Sequence, residues 1–161
     1  MQKIITIIGR SGSGKTTLIE KLIKRYRSQG KKVSALKSMR HEFNMDHQGK
    51  DTWRYREAGV FSLAITNGKT MAFISDIKAD YTPLDLAHQY FADSDIIIIE
   101  GYKEGRLAKI EVIGDSTEDP LFVTDNAVKI LVTDRDISSD LPVIKRDNID
   151  GIIEAIEKVY S

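Results

Sequence analysis

The sequence predicts a three-layer α/β domain in which helices cover both faces of a mostly parallel sheet. Short apolar runs alternate with helical patterns along nearly the whole chain, and a glycine-rich loop joins the first run to the first helical pattern. The most apolar run, residues 96–99, does not alternate with polar residues, which is typical of a central strand buried on both faces. A chain of 161 residues is expected to form one domain over 1–161.

The hydrophobic pattern places the elements in order. Leu18, Leu22 and Tyr26 are among the apolar residues on one face of the first helix, and Gly30 is typical of its C-terminal stop. Thr82-Pro83 is typical of a helix start. The expected elements are a strand at 3–8, a helix at 15–29, a strand at 33–36, a helix at 51–58, strands at 60–66 and 70–75, a helix at 82–91, strands at 96–99, 107–113 and 128–132, and a last helix capped by Asp147 or Asn148.

The connections between these elements differ in character. Residues 37–49 are polar and lack periodicity, and loops of this length in a compact domain tend to be functional. Residues 114–127 form a second polar loop. Asn67-Gly68 separates two apolar runs and favours a type I′ turn, so these runs are expected to pair as a hairpin inserted into the sheet or added to its edge.

Composition excludes several classes of protein. The chain has no cysteine, which removes disulfides, thiolate catalysis and zinc–thiolate sites. No apolar run has the length of a membrane span, and no signal-peptide pattern precedes the first strand, so we expect a cytoplasmic protein with no membrane partner. The histidines lack the spacing of a metal site; they are His41, His47 and His88.

Charge is balanced in total but unevenly distributed along the chain. Residues 1–56 hold 14 Lys and Arg against 4 Asp and Glu, and the remaining residues hold 10 against 20. Such a basic N-terminal third favours anionic small molecules, although part of this charge belongs to the solvated face of the first helix. Nucleic acid is not an expected partner, because no basic stretch is interleaved with aromatic residues.

The segment GRSGSGKT, from Gly9 to Thr16, fits the phosphate-binding pattern G-x-x-x-x-G-K-[ST] and predicts the P-loop NTPase fold. Backbone N–H groups of such a loop surround phosphate oxygens, and the helix N-terminus adds partial positive charge. Lys15 is predicted to reach the β- and γ-phosphates, and Thr16 to offer its hydroxyl to Mg²⁺. The expected phosphate-binding residues are Gly9, Ser11, Gly12, Ser13, Gly14, Lys15, Thr16 and Thr17.

A P-loop nucleotide needs an acidic residue that positions the metal, and three carboxylates are candidates. Glu100 directly follows the apolar run at 96–99, so it is the predicted Mg²⁺ partner; the alternative is that it only ends the strand. Asp46, within the 37–49 loop, and Asp51, just after it, are further candidates. For Asp51 a second interpretation stays open, since a carboxylate at a helix N-terminus also suits the helix dipole.

Asp134 follows a buried strand and is a candidate for recognition of the base. Its carboxylate would accept hydrogen bonds from guanine N1 and the exocyclic amine, which would select GTP over ATP. However, the sequence from Thr133 to Asp136 lacks a clear guanine-binding motif, and an aspartate after a strand is commonly a turn residue. Both interpretations stay open.

Four segments after the loop occur in an order that is more specific than the loop itself. They are Gly49-Lys50-Asp51-Thr52, Arg56-Glu57-Ala58-Gly59, Ile99-Glu100-Gly101-Tyr102-Lys103 and Lys109-Ile110-Glu111-Val112. Together with the loop, they resemble the molybdopterin-guanine dinucleotide biosynthesis protein B (MobB) family over nearly the whole chain. The family often has Lys-His after the second strand, whereas this chain has Lys37-Ser38, so no histidine role transfers to position 38 and His41 is the histidine left in that loop.

The resemblance implies a GTP-binding, homodimeric accessory of molybdenum cofactor assembly. It implies weak Mg²⁺-dependent GTPase activity and assistance to a separate guanylyltransferase that joins GMP to molybdopterin. It also implies that residues 12–17 cradle the GTP phosphates, that Thr16 and Glu100 position Mg²⁺, and that the 37–50 loop adjoins the nucleotide or the partner's cofactor. Lys15 and Glu100 are the residues expected to support hydrolysis.

Other functions stay open on the residues alone. A small-molecule kinase would use ATP and a general base such as Asp46 or Asp51. A nucleotide-dependent metallochaperone GTPase is disfavoured by the absence of cysteine and of a histidine-rich tract. A binding adapter with a structural nucleotide would bind tightly without turnover.

Overall fold

A computed structural model describes residues 2–43, 46–77, 80–115 and 119–160. The elements in chain order are β1 (Lys3–Ile8), α1 (Lys15–Ser28), β2 (Val33–Lys37), α2 (Asp51–Glu57), β3 (Ser62–Thr66), β4 (Met71–Ser75), α3 (Pro83–Tyr90), β5 (Ile96–Glu100), β6 (Lys109–Val112), a 3₁₀ turn (Leu121–Val123), β7 (Val128–Val132), β8 (Val143–Ile144) and α4 (Ile149–Val159). Parts of the two long loops, residues 44–45 and 116–118, lie outside the described residues.

The chain divides into two compact units, which we call the first and the second unit. The first unit consists of Met1–Met39 and Thr82–Ser161, and the second of Arg40–Tyr81. The sheet of the first unit has six parallel strands in the order β2-β5-β1-β6-β7-β8. The strand that precedes the glycine-rich loop therefore lies inside the sheet, where its backbone pairs with β5 on one side and β6 on the other.

Helices cover both faces of this sheet, which confirms the predicted three-layer α/β fold. On one face, Ile96 and Ile98 pack in a cluster with residues of α1 and α4. On the other face, Ile97 and Ile99 pack with Ala87 of α3. The alternation of β5 side chains between the two clusters explains why its sequence is apolar throughout.

Capping residues mark the N-terminal ends of α3 and α4, as the sequence predicted. In α3, the Thr82 hydroxyl accepts from the Asp85 N–H at 3.2 Å, and the Asp85 carboxylate accepts from the Thr82 N–H at 2.8 Å. This reciprocal pair is a capping box. At α4, the side chain of Asn148 accepts from the Gly151 N–H at 3.0 Å, which settles the choice between Asp147 and Asn148 in favour of Asn148.

The second unit contains α2 and a hairpin of β3 and β4. Two details of the hairpin prediction were wrong. First, the two strands form an antiparallel sheet of their own. Second, the turn is not type I′, because Asn67 does not have a positive φ. Instead, the Asn67 side chain accepts from the N–H groups of Lys69 at 3.0 Å and Thr70 at 2.9 Å, and a four-residue loop joins the paired residues Thr66 and Met71.

Within the described part of the chain, none of the helices combines the length and apolar character that crossing a membrane requires.

Candidate functional site

The glycine-rich loop runs from β1 to α1 through conformations that side chains rarely adopt. Gly9 has φ +150°, and a Cβ there would stand 2.4 Å from the Val112 carbonyl oxygen. Gly14 has φ +95° and is the N-cap of α1, with no side chain to accept from the first N–H groups of the helix. The loop therefore packs directly against the end of β6 and leaves the helix N-terminus open to an anion.

Lys15 folds back over this loop. Its ammonium group donates to the carbonyl oxygens of Arg10 at 2.7 Å and Gly9 at 3.1 Å. Partial burial lowers the pKa of Lys15, and the nearby cations Lys103 and Lys37 lower it further, while Glu100 acts in the opposite direction. A lysine held to backbone carbonyls in this way is ready to transfer its hydrogen bonds to an anion.

The loop also contains a buried hydroxyl without a partner. Ser13 is 3% exposed, and its Oγ has no hydrogen-bond partner among the residues that the structure describes. This oxygen lies inside the loop, since it is 2.7 Å from the position that a Cβ on Gly9 would take. An unpartnered buried hydroxyl is costly, so its presence fits a loop that is completed by a ligand.

The other predicted phosphate-binding residues lie on the surface of the same loop and helix. Ser11 and Gly12 are exposed in the loop, and Thr16 and Thr17 are exposed in the first turn of α1. All eight residues from the predicted set thus fall between the end of β1 and the first turn of α1. Their hydroxyls and N–H groups are available at a helix N-terminus, as phosphate binding requires.

Glu100 lies at the carboxyl end of β5, next to the strand that leads into the loop. It is in register with Ile7 of β1 and with Lys37 of β2. Its side chain is 16% exposed, and Oε2 lies 3.9 Å from the Lys37 ammonium nitrogen. The structure therefore brings Glu100 to the same sheet edge as the loop, as the sequence predicted from the carboxyl ends of parallel strands.

Asp134 lies near the loop, but its carboxylate already has partners. Oδ1 accepts from the Arg146 N–H at 3.2 Å, and Oδ2 accepts from Arg146 Nε at 2.6 Å. The backbone hydrogen bond from Arg146 is the main cause that lowers the pKa of Asp134. A cavity of about 210 Å³ lies beside these residues; it is lined by Gly14, Thr17, Leu18, Lys21, Asp134, Arg146 and Asp147.

Sequence reasoning missed Arg146. A Cβ on Gly14 would stand 3.6 Å from Arg146 Nη1, so the guanidinium lies beside the N-terminus of α1. Arg146 is placed there by β8, which pairs with β7 and has only two residues. So short a strand gives no periodic pattern. The signal that was available is the Lys145-Arg146-Asp147 sequence between the short apolar segment and the cap of α4.

The two acidic candidates outside the first unit have local roles. Asp46 Oδ1 accepts from the His47 N–H at 2.9 Å and from the Thr52 hydroxyl at 2.8 Å. Asp51 is the acidic residue in the first turn of α2, where it complements the helix dipole. Among the described residues, no group of three or more His, Cys, Asp and Glu side chains could hold a metal ion. The metal role of Asp51 stays a prediction.

Glu111 is a buried carboxylate that shapes the other side of the loop. It is 1% exposed, lies in register with Ile8, and accepts from the N–H groups of Leu121 at 2.6 Å and Phe122 at 2.8 Å. The 3₁₀ turn is thereby tied to β6, next to Arg10, which donates to the Asp119 carbonyl oxygen at 3.2 Å. Burial raises the pKa of Glu111 in opposition to these hydrogen bonds.

The raised pKa of Glu111 predicts a pH-dependent contribution to stability. Because its folded-state pKa lies above the unfolded value near 4.5, its contribution is greatest below that value and is lost as the pH rises through the folded-state pKa. The wild type should therefore lose stability from about pH 4 to about pH 7, whereas Glu111→Gln cannot titrate at this position and should not show this loss. The free energy of unfolding of the variant, relative to that of the wild type, should increase over this range. Urea unfolding at several pH values measures the difference. A difference that is constant or decreases contradicts the prediction.

These observations define the class of the protein. The chain has the P-loop fold, in which a glycine-rich loop joins a central strand of a parallel sheet to a helix. A lysine folds over that loop, and a carboxylate lies on the neighbouring strand.

Comparison with known proteins gives the particular family. The family model for molybdopterin guanine dinucleotide synthesis protein B matches residues 4–134. The molybdopterin-guanine dinucleotide biosynthesis adapter protein of Haemophilus influenzae is 31% identical over 155 residues, which is 96% of this chain and 87% of the relative. The adapter protein of the same name from Escherichia coli is 26% identical, with 97% and 92% of the two chains covered. The chain belongs to the MobB family, which confirms the resemblance found in the sequence.

Solved structures agree with this assignment at the level of the fold. The crystal structure of Bacillus subtilis MobB matches with a TM-score of 0.75 at 25% identity, covering 94% of this chain and 96% of the other. A crystal structure of molybdopterin-guanine biosynthesis protein B matches with a TM-score of 0.78 at 24% identity, covering 97% and 99%. The fold is thus shared over nearly the whole of both chains.

Proposed function

We propose that this chain is a GTP-binding adapter that assists a molybdenum cofactor guanylyltransferase in attaching GMP to molybdopterin. Membership of the MobB family supports the pathway, because the relatives are named as adapter proteins of molybdopterin-guanine dinucleotide biosynthesis. The observation that carries nucleotide binding is the uncapped N-terminus of α1 at Gly14, with Lys15 folded over the loop. That arrangement suits a polyphosphate.

The phosphates would lie against the loop and the first turn of α1. N–H groups from this segment would donate to phosphate oxygens, and Lys15 would exchange its carbonyl partners for the β- and γ-phosphates. The unpartnered Ser13 hydroxyl adds a polar group inside the loop. The residues therefore fit a bound nucleotide.

Magnesium would be held by the Thr16 hydroxyl and Glu100, both of which lie in the first unit. Mg²⁺ binds oxygen ligands and keeps several waters and phosphate oxygens, so it needs few protein ligands. The ion would offset negative charge on the phosphates. Lys15 would supply a second positive charge at the same place, and the two charges would support hydrolysis of GTP. Hydrolysis would be slow, because we assign no side chain to orient an attacking water.

The base would occupy the cavity beside Asp134. The two carboxylate oxygens offer about four acceptor positions, and Arg146 uses one at each oxygen. Guanine N1 and the exocyclic amine present two donors side by side, which match the remaining positions. Adenine presents an acceptor at N1 and would leave the carboxylate without these bonds.

Calorimetric titration tests this function. The wild-type chain with Mg²⁺ is titrated with GTP and with ATP, and the guanylyltransferase is then added to the better complex. We expect GTP to bind more tightly, and the adapter with GTP to associate with the guanylyltransferase. A preference for ATP of about tenfold or more, equal to about 1.4 kcal/mol, contradicts the guanine assignment and favours the small-molecule kinase.

The role of Asp134 leads to a prediction about base preference. Asp134→Asn replaces one acceptor oxygen by an amide donor, so GTP affinity should fall by about 10- to 100-fold. Xanthosine triphosphate, which has a carbonyl where guanine has the exocyclic amine, should gain affinity over the wild type. Titration of both nucleotides measures the ratio. Asp93→Asn, on an exposed residue of the first unit, is the control; equal effects of the two substitutions would exclude a contact with the base.

We further propose that the protein is a homodimer. The resemblance to the MobB family implies this state, and the hairpin of the second unit exposes large apolar side chains; they are Ile65, Met71 and Phe73. A cluster of exposed apolar side chains favours burial in an interface, here with a second copy of the chain. Sedimentation velocity of the full chain measures the oligomeric state, and a monomer at micromolar concentration contradicts the proposal.

A further inference from the structure

The strand β2 ends in a lysine at the edge of the sheet where the loop lies. Lys37 is the last residue of β2 and is in register with Glu100. The Ser38 N–H donates to the Glu100 carbonyl oxygen at 2.8 Å, which continues the pairing of β2 and β5 past the end of both strands. The backbone of Lys37 is thus fixed relative to Glu100 by hydrogen bonds on either side.

Side-chain alternation places Lys37 on the α1 side of the sheet. Val33, four residues earlier in β2, packs with Ile98 in the cluster beneath α1, whereas Leu36 packs in the cluster on the opposite face. Because side chains alternate along a strand, Lys37 shares the face of Val33, and Glu100 shares the face of Ile98. Lys15, the first residue of α1, approaches from this same side.

The contact between Lys37 and Glu100 is too weak to be the reason for a lysine here. The charged atoms are 3.9 Å apart, beyond hydrogen-bond distance, and the Lys37 side chain is 62% exposed. An ion pair this exposed contributes little to stability. The Lys37 ammonium is therefore a positive charge that the fold keeps at the site without using it for packing.

Positive charge exceeds negative charge around Lys15. The charged groups that act on Lys15 are Glu100, Lys103 and Lys37, so the lysines outnumber the carboxylate in this set, and of these Lys37 lies 3.9 Å from Glu100. A cluster with this imbalance favours an additional anion. The P-loop lysine reaches the β- and γ-phosphates, so an anion attracted to this cluster would be one of these two phosphates.

We propose that Lys37 binds the γ-phosphate and that this residue makes the protein discriminate GTP from GDP. This inference rests on the proposed GTP-binding function and adds a residue to it. A diphosphate lacks the group that Lys37 would contact, so the interaction exists with GTP alone. Lys37 would also supply positive charge at the terminal phosphate, where the sequence offered no arginine for this role.

Calorimetry with two nucleotides tests the inference. Lys37→Met removes the charge and keeps most of the aliphatic stem, and the exposure of the side chain means that the fold should be unaffected. We expect affinity for a non-hydrolysable GTP analogue to fall by about 10- to 30-fold and affinity for GDP to change by less than about twofold. Lys37→Arg should restore most of the preference for the triphosphate. Lys24→Met, on the exposed face of α1, controls for general loss of positive charge.

The outcomes separate this inference from the function on which it rests. If Lys37→Met lowers the affinities for both nucleotides equally, changes neither, or acts no more strongly than Lys24→Met, Lys37 does not contact the γ-phosphate and the GTP-binding function still stands. If the wild-type chain binds neither nucleotide, the proposed function is wrong and this inference falls with it.

Discussion

Lys15→Ala is expected to lower the affinity for Mg²⁺–GTP by at least about 100-fold, the largest effect of any single substitution on binding. The ammonium group is already bonded to the loop carbonyls of Arg10 and Gly9. A charge-assisted hydrogen bond to a partly desolvated phosphate is worth about 1.5–3 kcal/mol, and the lysine would make more than one. Partial burial lowers the pKa of Lys15, so an anion bound beside it would stabilise the charged form of this residue.

Calorimetry with GTP measures this change, and circular dichroism checks that the fold is kept. Lys24→Ala on the exposed face of α1 is the matched control, because it removes the same charge from the same helix. Unchanged affinity in Lys15→Ala would refute the assignment of the loop as the phosphate site.

The parts of the fold that the sequence predicted are those specified by local patterns. A strand that is buried on both faces requires a continuous apolar sequence, and the run Ile96–Ile99 shows this directly. The glycine-rich loop is recognised in the same way, because its backbone conformations require glycine. The position of Glu100 was predicted for the same reason, since the carboxyl end of a central strand follows from the strand itself; its role stays a prediction. These elements form the centre of the site.

The parts that escaped prediction depend on contacts that are distant in sequence. The two residues of β8 gain strand character from pairing with β7, and only this pairing brings Arg146 to Asp134 and Gly14. The hairpin turn was mispredicted because the Asn67 side chain bonds to the backbone of Lys69 and Thr70, which competes with the expected turn. Side-chain competition of this kind is not visible in a two-residue motif.

For Asp134 the structure gives a position beside the loop, while its role in base recognition stays a prediction. The sequence suggested a base contact or a turn residue, and the structure places the side chain at the cavity beside α1 with Arg146 bonded to both of its oxygens. Arg146 therefore orients the carboxylate through one hydrogen bond from its backbone N–H and one from its guanidinium. If Asp134 binds guanine as we propose, this orientation would favour recognition, because a pre-organised group loses less conformational freedom on binding.

Gly9→Ala is expected to have the second large effect, on both stability and binding. A Cβ at this position would stand 2.4 Å from the Val112 carbonyl oxygen and 2.7 Å from Ser13 Oγ, and φ is +150°. The carbonyl belongs to β6 and cannot move without breaking the sheet, so the loop itself must shift. We expect the free energy of unfolding to fall by about 3 kcal/mol and GTP affinity to fall by more than about tenfold, since the loop would no longer hold its N–H groups in place.

Gly30→Ala separates the steric clash from the cost of the backbone conformation. Gly30 also has a positive φ, +77°, but nothing lies within 4 Å of its Cβ position and it is far from the loop in sequence. Its substitution should cost only about 1 kcal/mol and leave GTP affinity unchanged. Urea unfolding measures the loss of stability in both variants, and calorimetry measures their affinities for GTP. If the two substitutions are equally costly, the contact between the loop and β6 is not what holds the phosphate loop in its conformation, and the geometry of the site must depend on α1 instead.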